Sequence, residues 1–168
     1  MELHTPVGQE RLCTMARLGL QDMLNTPLQN LMIAAERVAC VYAENSLEHA
    51  LLVLIKSGYS SVPVLSHQEE VTGTVSKTMI LDSILGIERI EFEQLDQRQV
   101  QDVMNREVPR IQVGQDWLTA LEMSIHQPYL CVEDEQDKFL GILTRSKLLS
   151  QIHGYFRSMS VSKQGDGR

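Results

Sequence analysis

Apolar residues in the first half of the chain recur at helical spacing, which predicts one buried helix face. This face consists of Leu47, Ala50, Leu51, Leu54 and Ile55. Gly58 suits the left-handed conformation that ends many helices. Ser46 or Asn45 is expected to cap the start of the helix, and Glu48, three residues after Asn45, would complete a capping box.

After Gly58 the pattern changes to that of short strands. Two runs rich in apolar and β-branched residues are separated by a polar hairpin over 67–70, and Gly86 stops the helix that follows them. The elements predicted for this first block are a strand over 38–41, a helix over 46–57, strands over 62–65 and 71–75, and a helix over 77–85.

A second block repeats the first, at an offset that falls from about 72 to about 68 residues. The matched pairs are Leu31-Met32 with Val103-Met104, Arg37–Val41 with Pro109–Val113, Ser46–Leu51 with Asp116–Leu121, Tyr59–Val62 with Tyr129–Val132, and Gly73–Lys77 with Gly141–Arg145. The second block is predicted to contain a strand over 110–113, a helix over 116–126, strands over 129–133 and 139–143, and a helix from 145.

The repeated unit is therefore β-α-β-β-α, which predicts an α+β fold. A unit of roughly 55 residues buries too little apolar surface to be stable alone, so the two repeats should pack sheet to sheet. The expected organisation is an N-terminal extension over 1–28, a first repeat over 29–86, a linker over 87–100, a second repeat over 101–156 and a flexible tail over 157–168. Spaced apolar residues suggest that the linker packs down: Ile87, Ile90, Phe92 and Leu95.

Composition narrows the function classes. A net charge of −7 makes a general nucleic-acid or anionic-membrane surface unexpected. Three cysteines lie far apart, with no metal-ligand spacing, and are expected to be free thiols. We see no signal peptide and no apolar run long enough to span a bilayer, so a cytoplasmic protein is expected. No nucleophile–base pair, metal set or phosphate loop indicates an enzyme.

Two motifs carry a resemblance to a known family. Val62-Pro63-Val64 after the first helix and Gly141-Ile-Leu-Thr144 before the last resemble a pair of CBS domains, the Bateman module, over about residues 29–156. The segments Leu47–Tyr59 and Gly86–Asp96 closely resemble the small stand-alone CBS-pair proteins of the CbpB/DarB type, which bind cyclic di-AMP.

This resemblance implies a non-enzymatic regulatory protein without a cofactor or a metal. It implies a disk-like homodimer packed helix to helix, with cyclic di-AMP bound in the cleft between the two CBS domains. It further implies that the ligand controls binding to a partner protein. In the family this partner is a Rel-type (p)ppGpp synthetase/hydrolase, bound in the ligand-free state.

The resemblance also implies a set of ligand-binding residues. They are Arg37, Ala39, Tyr59, Ser60, Ser61, Thr144, Arg145, Ser146 and Lys147. Tyr59 would stack on adenine, Ala39 would leave room at the adenine edge, and the two serines would donate hydrogen bonds. Arg37 and Arg145 would bind phosphate oxygens, with Arg145 beside a helix start. Replacing Arg145 by alanine is expected to cost about 2 kcal/mol of binding.

Two departures from the family pattern affect the ligand. CBS sites for AMP or ATP usually carry an Asp for the ribose hydroxyls, and here Lys147 and Met79 occupy those positions. A cation there fits a ligand whose 3′ oxygen is already esterified. The family also tends to have two consecutive arginines after the threonine, where this chain has Arg145-Ser146-Lys147.

The same residues are compatible with other functions and structural roles. The chain could be a general adenosine-ligand sensor for AMP or ATP, or a ligand-free dimeric scaffold. Tyr59 could be a core residue at a helix end, and Ser60 and Ser61 could be turn residues. A pseudo-equivalent second cleft is expected to be empty or weak. It would use Ile111, Tyr129, Leu130, Cys131, Ser76 and Lys77.

Overall fold

The computed structural model describes residues 19–86 and 89–162, with side chains of the second range described up to 160. Its strands are β1 (Ile33–Ala34), β2 (Val41–Tyr42), β3 (Ser61–Leu65), β4 (Val71–Ser76), β5 (Arg110–Gln112), β6 (Tyr129–Glu133) and β7 (Phe139–Thr144). Its labelled helices are α1 (Leu47–Ser57), α2 (Lys77–Ser83), α3 (Gln94–Gln97), α4 (Trp117–Ser124) and α5 (Arg145–Ser162). Residues 19–24 are also helical, and 3₁₀ turns cover Leu28–Asn30, Ala35–Arg37 and Val100–Asp102.

The strands form two sheets, with the orders β2-β3-β4 and β1-β7-β6-β5. In each repeat a parallel pair precedes an antiparallel hairpin: β2 with β3 and then β4, and β5 with β6 and then β7. A shared apolar cluster joins the sheets. It contains Val38, Leu65, Val71, Tyr129, Cys131, Phe139 and Ile142. The predicted α+β fold of two repeats packed sheet to sheet is therefore confirmed.

Polar caps fix the start of the main helices. The Ser46 hydroxyl accepts a hydrogen bond from the His49 N–H at 3.2 Å, and the Asp116 carboxylate accepts one from Thr119 at 2.9 Å. Asn45 is not the cap, because its side chain accepts from the Tyr42 N–H instead. The predicted capping box with Asn45 is therefore wrong, and Ser46 alone caps α1.

Helix α1 ends at the predicted glycine, but one residue of its predicted buried face is exposed. Gly58 has φ = 75°, in the left-handed region, and its N–H donates to the Ile55 carbonyl. Leu47, Ala50 and Leu54 are fully buried, as the apolar stripe predicts. Ile55 is an exception, because 59% of it is exposed. It lies at the border of the stripe and faces away from the core.

The structure corrects the alignment between the two repeats. Ser61 pairs with Ser76 at the start of the first hairpin, and Tyr129 pairs with Thr144 at the start of the second. Ser61 is therefore the counterpart of Tyr129, and the predicted match of Tyr59 with Tyr129 is wrong by two residues. The cause is helix length, since α1 has 11 residues and α4 has 8.

The first predicted strand also differs. The sequence predicts a strand over 38–41, but β2 contains only Val41 and Tyr42, which pair with Val64 and Leu65. The chain immediately before forms a 3₁₀ turn over Ala35–Arg37, and Val38 enters the core between the sheets. This segment therefore lies across the domain boundary and does not extend the sheet.

The chain that precedes the first repeat packs on the second. Leu28 and Leu31 are buried in the core around Trp117, and β1 pairs with β7 through Ile33–Ile142 and Ala34–Gly141. Gly141 has φ = 150°, and a Cβ atom there would lie 2.0 Å from the Ile33 carbonyl oxygen. Glycine is therefore required for this crossing between the repeats.

The linker packs against the first repeat, and the last helix is longer than the sequence predicts. Leu95 packs against the first core and Val100 is fully buried, as expected of a linker that packs down. Phe92 and Ile90 are exposed, and Ile87 lies outside the described residues. Helix α5 continues to Ser162, past the boundary at 157 where the sequence predicts a flexible tail.

Candidate functional site

A cleft with two adjoining cavities lies where the repeats meet. The inner cavity has a volume of about 170 Å³ and the outer one about 570 Å³. Tyr59, Thr144 and Ser146 line both of them. The inner cavity is further lined by Val38, Ala39, Ser60, Ser61, Val62, Pro63, Pro128, Tyr129 and Ile142. The outer cavity is further lined by Asn30, Leu31, Met32, Ile33, Ala34, Arg37, Lys147 and Ser150.

The structure brings together eight of the nine predicted site residues. The end of α1 and the start of β3 supply three of them: Tyr59, Ser60 and Ser61. The end of β7 and the start of α5 supply another three: Thr144, Ser146 and Lys147. Arg37 and Ala39 come from the segment that crosses between the sheets. Residues about 100 positions apart in the sequence thus share one cleft.

Arg145 is the one predicted site residue that the structure does not bring to the cleft. Its Nη1 donates a hydrogen bond to the Ile125 carbonyl oxygen at 3.1 Å. Ile125 is the C-cap residue of α4, and the last carbonyls of a helix have no partner within the helix. A cation at that end also compensates the helix dipole, so the guanidinium is stabilised away from the cleft.

The start of α5 forms the polar wall of the cleft. The Thr144 hydroxyl accepts from the Lys147 N–H at 3.3 Å and lies 3.2 Å from the Ser146 hydroxyl. The Arg145 N–H donates to the Pro128 carbonyl oxygen at 3.0 Å, which ties the helix start to the residue before β6 that also lines the inner cavity. The N-terminus of an 18-residue helix favours an anion at this wall.

Charge in the cleft is opposite in sign to that of the whole chain. Arg37 and Lys147 line the outer cavity, and neither forms an ion pair within the described part of the chain. No Asp or Glu is among the residues that line either cavity. The cleft is therefore a local cationic site in a protein of net charge −7.

Tyr59 presents an aromatic ring at the junction of the two cavities. The residue is 42% exposed, so it is not the core residue that the sequence left open as an alternative. Its N–H donates to the Ser57 hydroxyl at 3.4 Å, which helps to fix the turn after α1. A partly exposed ring beside two cations can stack on a planar base whose phosphate reaches the cations.

The sequence did not assign Tyr129 to this cleft, yet it lines the inner cavity. It begins β6 and is only 9% exposed. Within the described residues its hydroxyl forms no hydrogen bond of ordinary length and angle, although the Ser61 hydroxyl lies nearby. Burial raises the pKa of Tyr129, the neighbouring Cys131 adds to that rise, and the Ser61 hydroxyl opposes it. If the two repeats are aligned with an offset of 68 residues, Tyr129 corresponds to Ser61. This alignment would have assigned Tyr129 to the cleft from the sequence.

The predicted second cleft does not form from the residues proposed for it. Ile111, Leu130 and Cys131 are at most 1% exposed and pack inside the apolar cores. Their side chains are interior because the register differs by two residues from the one assumed. Within residues 19–86 and 89–160, no group of three His, Cys, Asp or Glu side chains is placed to hold a metal ion.

Known proteins resemble the chain along most of its length. The CBS domain family model matches residues 31–86 and 100–154. Cyclic di-AMP receptor B of Bacillus subtilis is 39% identical over 146 residues, which cover 87% of this chain and 99% of that protein. The crystal structure of Listeria monocytogenes CbpB in complex with c-di-AMP has 42% identity and a TM-score of 0.73, covering 79% of this chain and 98% of that one.

A CBS domain-containing protein of Bacillus anthracis is similar to the same extent. Its crystal structure has 44% identity and a TM-score of 0.76, and the match covers 80% of this chain and 98% of that one. The shared part therefore includes both repeats and the cleft between them.

Proposed function

The chain belongs to the CBS-domain family as a stand-alone pair of CBS domains, and we propose that it is a receptor for cyclic di-AMP. It is a regulatory module and not an enzyme. The ligand would occupy the cleft between the repeats. The relatives named above as a cyclic di-AMP receptor and as a c-di-AMP complex support this choice of ligand.

The charge of the cleft is the observation that carries the proposal. Arg37 and Lys147 converge on the outer cavity with no carboxylate among its lining residues. A mononucleotide with free ribose hydroxyls is usually held by an acid, and the cleft offers none. A cyclic dinucleotide has its 3′ oxygens in phosphodiester linkages, so a cation suits the position that an acid occupies in a mononucleotide site. This argues against the alternative of an AMP or ATP sensor.

The lining residues suggest how the ligand would lie. Tyr59 would stack on one adenine, a contact that contributes roughly 1–3 kcal/mol per base. Arg37 and Lys147 would bind phosphate oxygens in the outer cavity, where Arg37 can do so with two parallel hydrogen bonds. Ala39, Ser60 and Ser61 would surround the base in the inner cavity. Arg145 would stay on the Ile125 carbonyl.

A thermal-shift screen of adenine nucleotides tests the ligand class. A ligand at 100 times its dissociation constant adds about 2.7 kcal/mol to the free energy of unfolding. Cyclic di-AMP should raise the melting temperature by several degrees, while AMP and ATP at the same concentration should have little effect. A larger shift with AMP or ATP would favour the adenosine-sensor alternative, and no shift with any nucleotide would favour a scaffold.

A homodimer is part of the same proposal. The helices carry exposed apolar side chains on the faces that point away from the sheets, and these faces would pack against a second copy. They comprise Leu52, Ile55, Leu81, Leu118, Leu149 and Phe156 on the helices, with Leu85 and Ile125 just beyond the ends of α2 and α4. This arrangement leaves the cleft between the repeats accessible to the ligand.

We further propose that ligand binding controls a partner protein in the cytoplasm. The resemblance implies a Rel-type (p)ppGpp synthetase/hydrolase, bound when the cleft is empty. No helix in the described part of the chain is both long and apolar enough to cross a membrane. Filling the cleft would stabilise one arrangement of the two repeats, and the partner would bind the other. Pull-down of the synthetase with and without cyclic di-AMP tests this, and equal recovery would contradict it.

A further inference from the structure

A buried hydroxyl without a well-formed hydrogen bond belongs to a residue that lines the inner cavity. The described residues contain three buried side-chain polar atoms that make no hydrogen bond: Trp117 Nε1, Tyr129 Oη and Glu133 Oε1. Of these three residues, Tyr129 alone lines the cleft. Most buried polar side-chain atoms in proteins have a hydrogen-bond partner, so an unsatisfied one in a binding cavity points to a ligand atom.

The two cavities differ in chemistry, which indicates what part of a ligand each would take. The inner cavity is lined mainly by apolar residues and contains no charged side chain. At about 170 Å³ it is smaller than the roughly 300–1,000 Å³ of a pocket that holds a whole drug-sized ligand. Both cations line the outer cavity. A flat, neutral base therefore suits the inner cavity and a phosphate suits the outer one.

We infer that the Tyr129 hydroxyl is a specificity-determining contact, donating a hydrogen bond to a ring nitrogen of the adenine that enters the inner cavity. This inference rests on the proposed function. Burial raises the pKa of Tyr129, so the phenol stays protonated and can donate at neutral pH. Ser61, its counterpart in the first repeat, faces it from the other sheet and lies close enough to lower the pKa of the phenol slightly, but the two hydroxyls do not form a hydrogen bond of ordinary length and angle.

The substitution Tyr129→Phe removes the hydroxyl and keeps the ring. Calorimetry with cyclic di-AMP should show about fivefold to tenfold weaker binding than for the wild type. The unfolding midpoint without ligand should stay the same or rise, because an unsatisfied buried group is removed. Tyr42→Phe is the matched control, because Tyr42 stacks on His67 at the surface, is absent from the cleft, and should bind like the wild type.

The outcomes separate this inference from the proposed function. Wild-type protein that fails to bind cyclic di-AMP overturns both. Wild-type binding with a Tyr129→Phe variant within twofold of it overturns the hydroxyl contact alone. A large loss of unliganded stability in Tyr129→Phe would also count against it, since the hydroxyl would then be bonded within the protein.

A second experiment uses the wild-type chain and modified ligands. Cyclic di-AMP analogues that replace one ring nitrogen at a time by C–H should include one that binds at least fivefold more weakly. Tyr129→Phe should bind that analogue and cyclic di-AMP equally, because the contact is already lost. Equal wild-type affinity for all analogues would contradict the inference, whatever the stability of the variant.

Discussion

Neighbouring residues at the start of α5 have different roles because their side chains leave the backbone in different directions. Thr144, Ser146 and Lys147 line the cleft, whereas Arg145 reaches the Ile125 carbonyl oxygen. The sequence can indicate that cations cluster at a helix start. It cannot show which one finds a better partner elsewhere, because that partner lies 20 residues away at the end of another helix.

Alanine substitutions of the three cations test these assignments. Arg37→Ala and Lys147→Ala should each weaken cyclic di-AMP binding at least tenfold, since a hydrogen bond to a charged group contributes about 1.5–3 kcal/mol. Arg145→Ala should change the affinity less than threefold and lower the free energy of unfolding by about 0.5–1.5 kcal/mol through the lost helix-end contact. Calorimetry and urea unfolding measure the two effects. A strong affinity loss for Arg145→Ala would show that the side chain turns into the cleft on binding.

The buried acid Glu133 predicts a pH dependence of stability outside the cleft. Burial raises the pKa of Glu133 above its ordinary value of 4.5, although Arg110 Nη1, 3.9 Å away, opposes the rise. Above about pH 4.5, Glu133 therefore holds its proton more strongly in the folded protein than in the unfolded chain. Its contribution to the free energy of unfolding consequently falls as the pH rises above about 4.5.

The substitution Glu133→Gln removes this titration. Urea unfolding between pH 4.5 and pH 8 should show the variant gaining stability relative to the wild type as pH increases. Glu135→Gln is a suitable control, because Glu135 lies at the exposed hairpin tip of the same repeat. A stability difference that stays constant with pH would mean that the Glu133 carboxyl is not perturbed.

At the scale of elements, the sequence predicted the repeated unit well and its crossings poorly. Helix α1 ends at Ser57 with Gly58 as predicted, and β6 spans the predicted residues 129–133, because apolar spacing and turn residues determine them locally. The two-residue strand β1 carries no periodic pattern, so its pairing with β7 was not predictable. The register of the repeats failed for a similar reason, since a helix shortened at its C-terminal end leaves the apolar pattern intact.

The accuracy of the predicted cleft residues depended on how well these elements were predicted. The family resemblance gave eight residues that share the cleft, because they lie on the well-defined helix and strand ends. Tyr129 was missed because it entered the prediction in the wrong register. The backbone of Asn30–Ala34 was missed because it reaches the outer cavity only through the crossing of β1 to the second sheet.

The β1–β7 crossing is tested by Gly141→Ala. The added Cβ would meet the Ile33 carbonyl oxygen at 2.0 Å, and φ = 150° is unfavourable for alanine. We expect a loss of at least about 2 kcal/mol in the free energy of unfolding, and weaker cyclic di-AMP binding, because β1 lines the outer cavity. Gly114→Ala, with nothing within 4 Å of its Cβ, should stay within about 0.5 kcal/mol of the wild type. Equal stability of the two variants would contradict the role of Gly141.

At the scale of the whole molecule, two features remain exposed in a single chain: the cationic cleft and the apolar helix faces. The whole chain has a net charge of −7, which repels anions at long range. Attraction of an anionic ligand is therefore local and depends on Arg37 and Lys147 in the outer cavity. The helix faces carry Ile55 and Leu118, with 59% and 57% of their surface exposed. Isolated surface apolar residues are ordinary, but a row of them along several helices predicts an interface.

Charge on these faces should prevent the proposed dimer. Ile55→Glu combined with Leu118→Glu should shift the protein from dimer to monomer in sedimentation velocity, because buried carboxylates without partners oppose association. Gln136→Glu adds a negative charge at an exposed hairpin tip and should leave the dimer intact. A monomeric wild type, or a double variant that still dimerises, would contradict this interface.

The proposed receptor should bind cyclic di-AMP in preference to adenine mononucleotides. Calorimetric titration of the full chain with cyclic di-AMP, alone and in the presence of excess AMP or ATP, measures this directly. We expect a submicromolar dissociation constant that hardly changes with either competitor. Displacement of cyclic di-AMP by AMP or ATP, or no heat of cyclic di-AMP binding at all, would contradict it.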